Sequence, residues 1–461
     1  MRLQLSKSFV TVEESTPNTT LVAEAFGLGL DTKREFCVFD NVEIDLRPGD
    51  ICYIVGDSGG GKSTLLHILS EKLSGIGIFG EIVNIDSIHV ENDEILIDGC
   101  AKSFDDSLRN LSIAGLSDAF IMIRKYGELS DGQKYRYKIA KMLSQDAGVW
   151  VCDEFLSTLD RDTAKVVAFC MQKQARRNRK TLIVATAHAD LIEDLNPTII
   201  VRKGFGSKVE IKYPVQSRAI GLCSLVQRVK VREGSRDDYA ELHSFHYRAE
   251  LPTTTRRIYA MEYENNVIGA IAYGSPSLHN SARTKFLGYS PSANEVNSDF
   301  VAISRVVLHP KFRSIGLGAK LVRDTLPLVK SKYVETVAVM ARFNPFFAKA
   351  GMLRVISDGS ELVDQSKAML SEIKDKFGLQ VGTIKTRVSE LDQGEYEKLC
   401  EYVTSNIGNF VLRDIYGHAA IIDMSKVKDD LLASRPLVLR LLLRTAIFSE
   451  EKAYYVWKND S

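Results

Sequence analysis

The sequence predicts an α/β protein of two successive domains, each organised around a strand, a glycine turn and a helix. Three stretches carry that expectation. DICYIVG, a short apolar strand, runs through GDSGGGKST into STLLHILSEKL, whose apolar residues recur at helical spacing. VWVC, a second apolar strand, ends in the acidic pair Asp153 and Glu154. FVAISRVVLHP leads through RSIGLGA into a further helical pattern. A chain of 461 residues suits about two or three domains.

An apolar share of 45% and a charged share of 26% describe a soluble globular protein. A net charge of +1 makes no whole-chain case for or against nucleic acid. The seven cysteines are scattered without a CxxC pair. That disfavours a zinc site or a disulfide framework and points to a reducing compartment. MRLQLSKSFVTVEES at the N-terminus has no continuous apolar core, so no signal peptide is expected and the cytoplasm is the expected location. The most apolar run, PLVLRLLLRTAIF, holds Arg440 and Arg444 and is shorter than the roughly 20 residues that span a bilayer. A buried or amphipathic helix is expected there, with no membrane contact.

Gly56, Asp57, Ser58, Gly59, Gly60, Gly61, Lys62 and Ser63 match G-x-x-x-x-G-K-[ST] completely, and Thr64 follows. In such a loop the glycines let backbone N–H groups turn inward around phosphates. Lys62 reaches the β and γ phosphates, and the Ser63 hydroxyl is placed for Mg²⁺. ATP and Mg²⁺ are the expected cofactors. Asp153 is the further Mg²⁺ ligand, and the next carboxylate, Glu154, would orient or deprotonate the attacking water. One predicted strand later, TLIVATAH brings His188.

In the order GDSGGGKS, LSDGQ, CDE, STLD and TAH, residues 1–214 resemble an ATP-binding cassette (ABC) ATPase. The resemblance implies an ATP-dependent homodimer in which two cassettes pair head to tail. Ser130 and Gly132 of one would cap the γ-phosphate held by the other. Lys62, Glu154 and His188 become the catalytic set, with Glu154 as base and His188 as γ-phosphate sensor, and Asp160 becomes a residue of the dimer seam. Phe26 or Phe39 would stack on adenine. Two features depart from transporter cassettes. No glutamine occurs from Gly80 to Glu128, where the family keeps one at its membrane-coupling hinge. The span from Lys62 to Ser130 is also short, which leaves little room for a helical docking arm. The expectation is an intact motor without transporter coupling.

KGFGSKVEIKYPVQSR marks a boundary, giving a second domain over 222–461. DDYAELHSFHYR reads as an amphipathic helix, and RRIYAMEYENNVIGAIAYG as a hairpin turning at Asn265 and Asn266. After a strand from Phe300 to Leu308, the loop from Arg313 to Ala319 opens a helix, whose free N–H groups and dipole make an anion cradle. The R-x-x-G-x-G/A spacing after VLHP resembles the acetyl-CoA pyrophosphate loop of GNAT N-acyltransferases. VETVAVMARFNPFFAKAGM agrees with that family's next strand, helix and terminal AGM. The resemblance implies a GNAT-like α+β domain with helical additions, 355–450 being an insertion or cap. It also implies acetyl-CoA or a related acyl-CoA held by Val306, Val307, Arg313, Ile315, Gly316, Leu317, Gly318 and Ala319. GNAT enzymes commonly keep a tyrosine acid where this chain has Phe347, which has no proton to give. His246, Tyr247, Ser304 and Asn344 are the remaining candidates for acyl transfer.

FHYR and IGAIAYGSP are similar, over a shorter stretch, to the GNAT-fold Mom-type phage enzymes that modify adenine in DNA. A GNAT domain fused to an ATPase also resembles the tRNA cytidine acetyltransferases, whose motor is of another type. Both point to a nucleic-acid partner, DNA or RNA, and KQARRNRK at 173–180 offers cations for phosphates. The main expectation is an ABC ATPase fused to an acyltransferase that modifies a base. The alternatives are an ATP-binding transporter subunit with a regulatory C-terminal half, and an ATP-gated clamp whose GNAT fold is inactive.

Overall fold

The computed structural model describes residues 1–11, 15–27, 34–214, 219–245, 250–338, 344–355, 361–416, 423–449 and 452–459. The chain divides into two compact units, Met1–Tyr273 with Ser304–Thr325, and Gly274–Ile303 with Leu326–Ser461.

The first unit begins with β1 (Arg2–Thr11), α1 (Pro17–Phe26) and β2 (Arg34–Asp45), β1 and β2 pairing antiparallel. Then come β3 (Ile51–Val55), α2 (Lys62–Ser74), β4 (Ile82–Asn84), and the helices α3 (Leu96–Gly99), α4 (Phe104–Ile113), α5 (Ala119–Met122) and α6 (Asp131–Leu143). β5 (Val149–Cys152), α7 (Arg161–Asn178), β6 (Thr181–Thr186), α8 (Ile192–Leu195), β7 (Ile199–Lys203) and β8 (Val209–Lys212) complete this part. Six strands form one sheet in the order β4-β5-β6-β3-β7-β8, parallel except for β8. Apolar residues cover both of its faces, which is why its strands read as continuous apolar runs. Along β3, Tyr53 and Val55 join a core with Trp150, Tyr137 and Val184, while Cys52 and Ile54 join another with Leu65, Leu69 and Phe39. The span expected to be too short for a helical arm folds into α3, α4 and α5. Short helices need few residues when the chain supplies caps, as Ser103 does for α4 by accepting the Asp106 N–H at 3.1 Å.

The same unit continues through β9 (Lys230–Gly234), α9 (Arg236–Ala240), β10 (Thr255–Tyr263) and β11 (Asn266–Gly274). The β10–β11 turn falls at Glu264 and Asn265, with φ 50° and 66°, one residue earlier than the sequence placed it. A two-residue turn of this hand needs positive φ at both positions, and the Asn266 side chain instead donates to the Glu264 carbonyl. α9 is shorter than the amphipathic pattern suggested, with a 3₁₀ turn at His243–Phe245 after it. The chain then forms α10 (Ser281–Leu287) and α11 (Ala293–Asp299) in the second unit, enters β12 (Phe300–Leu308), and returns to the first unit with the end of β12 and α12 (Leu317–Thr325). Within the first unit the strand order is β9-β10-β11-β12.

In the second unit the start of β12 runs parallel to β13 (Tyr333–Ala338), with Phe300 opposite Tyr333. After α13 (Phe346–Lys349) and β14 (Leu353–Val355), six helices follow: α14 (Glu361–Phe377), α15 (Ile384–Glu390), α16 (Gln393–Asn406), α17 (Asn409–Tyr416), α18 (Met424–Ala433) and α19 (Arg435–Ser449). They share a core of their own around Ile373, Leu399, Val403, Leu412, Leu431 and Leu441. The apolar run ending at Phe448 lies in α19, and among the described residues no helix is long and apolar enough to cross a membrane. β15 (Ala453–Lys458) closes the order β12-β13-β15-β14, antiparallel to both neighbours. A buried polar cluster here is built on Arg283, whose guanidinium meets the Glu335 carboxylate at 2.9 and 2.7 Å, with the Tyr454 hydroxyl donating to the same carboxylate at 2.7 Å.

Candidate functional site

Parallel pairing places the sequence motifs at one edge of the first sheet. Val55 at the end of β3 lies opposite Thr186 at the end of β6, and Cys152 at the end of β5 lies opposite Val184. The loop Gly56–Gly61, the acidic pair and His188 therefore all leave the carboxyl ends of adjacent strands, the side where open α/β sheets bind ligands.

The loop's shape depends on its first glycine. β3 also pairs with β7, Val55 opposite Arg202, so Gly56 passes directly over Lys203. A Cβ at Gly56 would overlap the Lys203 carbonyl oxygen. Lys62, almost fully buried in the first turn of α2, folds its ammonium back onto the Asp57 carbonyl at 2.8 Å. Asp57, Ser58 and Gly59 are exposed, and Ser63 and Thr64 are half-buried. Gly56→Ala is expected to weaken nucleotide binding about tenfold or more, and to destabilise the fold by about 1–3 kcal/mol through forced overpacking. Nucleotide titration and thermal unfolding of the variant check both effects.

Asp153 is half-buried and accepts the Glu154 N–H on Oδ1 at 2.9 Å, while the Phe155 N–H reaches the Ala185 carbonyl at 2.8 Å. These bonds hold Glu154 at φ 44° with its side chain exposed. The His188 backbone is tied down twice: its N–H donates to the Thr186 hydroxyl at 3.3 Å, and its carbonyl accepts the Tyr53 hydroxyl. Ser130 caps α6 in a reciprocal box with Gln133, and Gly132 packs against the far end of the Glu154 loop, where a Cβ would stand 2.9 Å from Leu159 Cδ2. Asp160 caps α7 through the Thr163 N–H and hydroxyl at 3.2 and 2.6 Å. Burial raises the Asp160 pKa, but the Lys311 ammonium and the Thr163 donors outweigh it and hold the carboxyl below its ordinary value.

Two residues at this edge carry no recognised motif. Lys203, buried at the inward end of IIVRK, donates to the Gly204 and Gly206 carbonyls at 2.7 and 2.5 Å and supports the phosphate loop from below. A lone lysine at an inward strand position was its only sequence signal. Asp86 lies in the 3₁₀ turn Ile85–Ser87 that follows β4. Burial first, then Asp86 and Asp153, push the neighbouring Cys152 thiol well above its ordinary pKa.

Of the aromatic candidates for adenine, Phe26 is exposed, whereas Phe39 is fully buried in the core, because its strand turns that face onto α2. In KQARRNRK, Arg176 donates to the Gly49 and Asn196 carbonyls, and Lys180 pairs with Asp146 at 3.3 Å.

The residues assigned to an acyl-CoA lie around the β12–α12 turn. Val306 is half-buried, and Val307 is in a small core with Tyr239, Leu242 and Ala270. Ile315, Leu317 and Ala319 are buried, Gly316 is exposed at φ 95°, and Gly318 is half-buried. The Arg313 guanidinium donates to the carbonyls of Leu308, Ser117 and Phe245 at 3.1, 2.9 and 3.1 Å. The Ser304 hydroxyl donates to the Ala272 carbonyl at 3.0 Å. In the second unit Asn344 is exposed, and Phe347 is buried beside Phe346 and Tyr455. His246 and Tyr247 lie outside the described residues.

The profile of the family described as ABC transporter matches residues 39–157. Methionine import ATP-binding protein MetN of Clostridium tetani is 28% identical over 206 residues, which is 38% of this chain and 62% of that protein. Ribosome protection protein VmlR of Bacillus subtilis is 30% identical over 148 residues, 32% of this chain and 25% of that protein. Among solved structures, the dimeric structure of MJ0796, a bacterial ABC transporter cassette, gives a TM-score of 0.32 at 19% identity, covering 38% of this chain and 91% of that one. The chain thus spans less than two thirds of the length of the curated relatives it matches. Residues 39–157 thus form a domain of the ABC transporter family's ATPase type.

Proposed function

We propose that the chain hydrolyses ATP as the nucleotide-binding part of a partner-driven assembly, in the manner of a transporter's ATP-binding subunit. Residues 1–214 supply the cassette and 222–461 the regulatory part. The observation that carries this reading is the convergence of the phosphate loop, the acidic pair and His188 on one sheet edge, in a chain similar to methionine import ATP-binding proteins. In this reading Lys62 and the loop N–H groups hold the phosphates, Glu154 accepts the proton of the attacking water, and His188 contacts the γ-phosphate. The Ser63 hydroxyl and the Asp153 carboxylate are hard oxygen donors, and two such ligands with phosphate oxygens suit Mg²⁺, which supplies charge neutralisation there. Two copies pair when ATP is bound, Ser130, Gly132 and Asp160 lying at the seam. A partner surface is supported by Ile95, Phe104, Phe120 and Ile123, exposed apolar residues of the α3–α5 region.

A second reading keeps the acyltransferase with a nucleic-acid substrate. It is supported by the β12–turn–α12 segment, with Gly316 at φ 95° ahead of the helix. Arg313 being turned onto three carbonyls leaves the backbone N–H groups from Ile315 to Ala319 as this reading's anion ligands.

One experiment separates the two. ATP turnover is measured with detergent-solubilised native membranes, with duplex DNA, with tRNA and alone. Several-fold stimulation by the membrane fraction is expected. Stimulation by nucleic acid that falls steeply with salt, together with calorimetric acetyl-CoA binding lost in Gly318→Glu, would transfer the assignment to the second reading.

A further inference from the structure

The turn between β12 and α12 makes an ion pair with the start of α7, away from the groups proposed to hold phosphate. Lys311 Nζ lies 2.6 Å from Asp160 Oδ1 and 3.2 Å from Asp162 Oδ2. Asp160 closes the loop that Glu154 opens. Two residues of that loop, Glu154 and Leu156, hold left-handed backbone at φ 44° and 57°. Such conformations persist only where the surroundings fix them. At the near end, Asp153 and the Ala185 carbonyl hold the backbone. At the far end, Thr163 and Lys311 hold the Asp160 carboxylate, and Leu159 packs on Gly132.

Lys311 comes from a turn that is itself anchored. Next to it, Arg313 grips three carbonyls, and the Ser314 hydroxyl donates to the Ser112 carbonyl at the end of α4 at 2.8 Å. Phe312 packs against the Tyr263 ring at 5.4 Å, and the Tyr263 hydroxyl donates to Asp162 at 3.2 Å. The Lys311 and Asp160 side chains are 27% and 57% exposed. A pair that accessible to water adds little to global stability, so its effect is local.

We propose that Lys311 is a positioning residue for ATP hydrolysis: by holding Asp160 and Asp162 it fixes the far end of the loop whose first residue is Glu154. The inference rests on the reading of Glu154 as the base. A shift of about 1 Å in a reacting group costs up to about 100-fold in rate, so a loosened loop lowers turnover without touching the phosphate-binding groups.

The test compares Lys311→Met, Lys311→Arg and Glu154→Gln in the full chain, recording kcat, KM for ATP and the thermal midpoint. Lys311→Met is expected to lower kcat about tenfold, with KM and midpoint close to the parent's, and Lys311→Arg to recover most of the loss. An unchanged kcat in Lys311→Met, beside an inactive Glu154→Gln, overturns the positioning role and leaves the base assignment standing. A fall in midpoint or rise in KM that accounts for the loss, or no recovery with arginine, also overturns it, since a general structural role gives that result. Wild-type turnover in Glu154→Gln overturns the reading beneath it.

Discussion

Replacing Glu154 with glutamine is expected to cut ATP turnover by about 10²–10⁴-fold while leaving ATP affinity nearly unchanged. The backbone explains the separation. Glu154 is held by its N–H on Asp153 and by the next N–H on Ala185, neither of which involves its carboxylate. An amide of the same size keeps the loop and can still hydrogen-bond a water molecule, but it cannot take that water's proton. The groups proposed to bind phosphate, Lys62 and the loop from Gly56 to Ser63, belong to a different strand end and are untouched. Single-turnover hydrolysis and equilibrium nucleotide binding measure the two quantities separately. A variant that hydrolyses at the parent rate would remove Glu154 from the mechanism, and one that fails to bind ATP would make its role structural.

The largest effect on stability is expected in the second unit, from Glu335→Ala. Glu335 is 4% exposed and Arg283 is 1% exposed. Their bidentate contact is joined by the Tyr454 hydroxyl, and Arg283 also reaches the carbonyls of Ser277 and Leu278 at 2.6 and 3.2 Å. Removing the carboxylate leaves a guanidinium charge and a phenol without their acceptor in a site closed to water. Breaking one partner of such a buried pair costs about 3–5 kcal/mol, which thermal or denaturant unfolding would register as a clear loss. Replacing both partners with apolar residues, Arg283→Met with Glu335→Leu, is expected to recover most of it, because no uncompensated charge remains. If the double variant is as unstable as the single one, the cluster contributes by shape rather than charge.

The sequence by itself marked out the proposed nucleotide site. A phosphate cradle of this kind can be written in contiguous residues, because backbone N–H groups on a glycine turn would do the holding, and Gly56 to Ser63 are consecutive. The strands that carry the site are legible for a related reason. A parallel sheet buried on both faces needs unbroken apolar runs, and ICYIV, VWVC and TLIVAT have them. Their relative order then follows from register, which sets Asp153, Thr186 and Gly56 at one edge.

Only the tertiary structure decided what depends on partners far away in the chain. Phe39 looks available for a base in sequence but packs into the core beneath β3. Arg313 looks like an anion ligand beside a glycine turn. Its fork is turned instead onto the Ser117 carbonyl, 196 residues earlier, and its neighbour Ser314 onto Ser112. The Lys311 pair with Asp160 joins a turn that reads as part of the second domain to a loop of the first, and no local pattern marks either residue for the other. A local motif fixes the backbone it sits on, whereas the direction of a long charged side chain is fixed by whichever unsatisfied carbonyls and carboxylates folding brings within its reach.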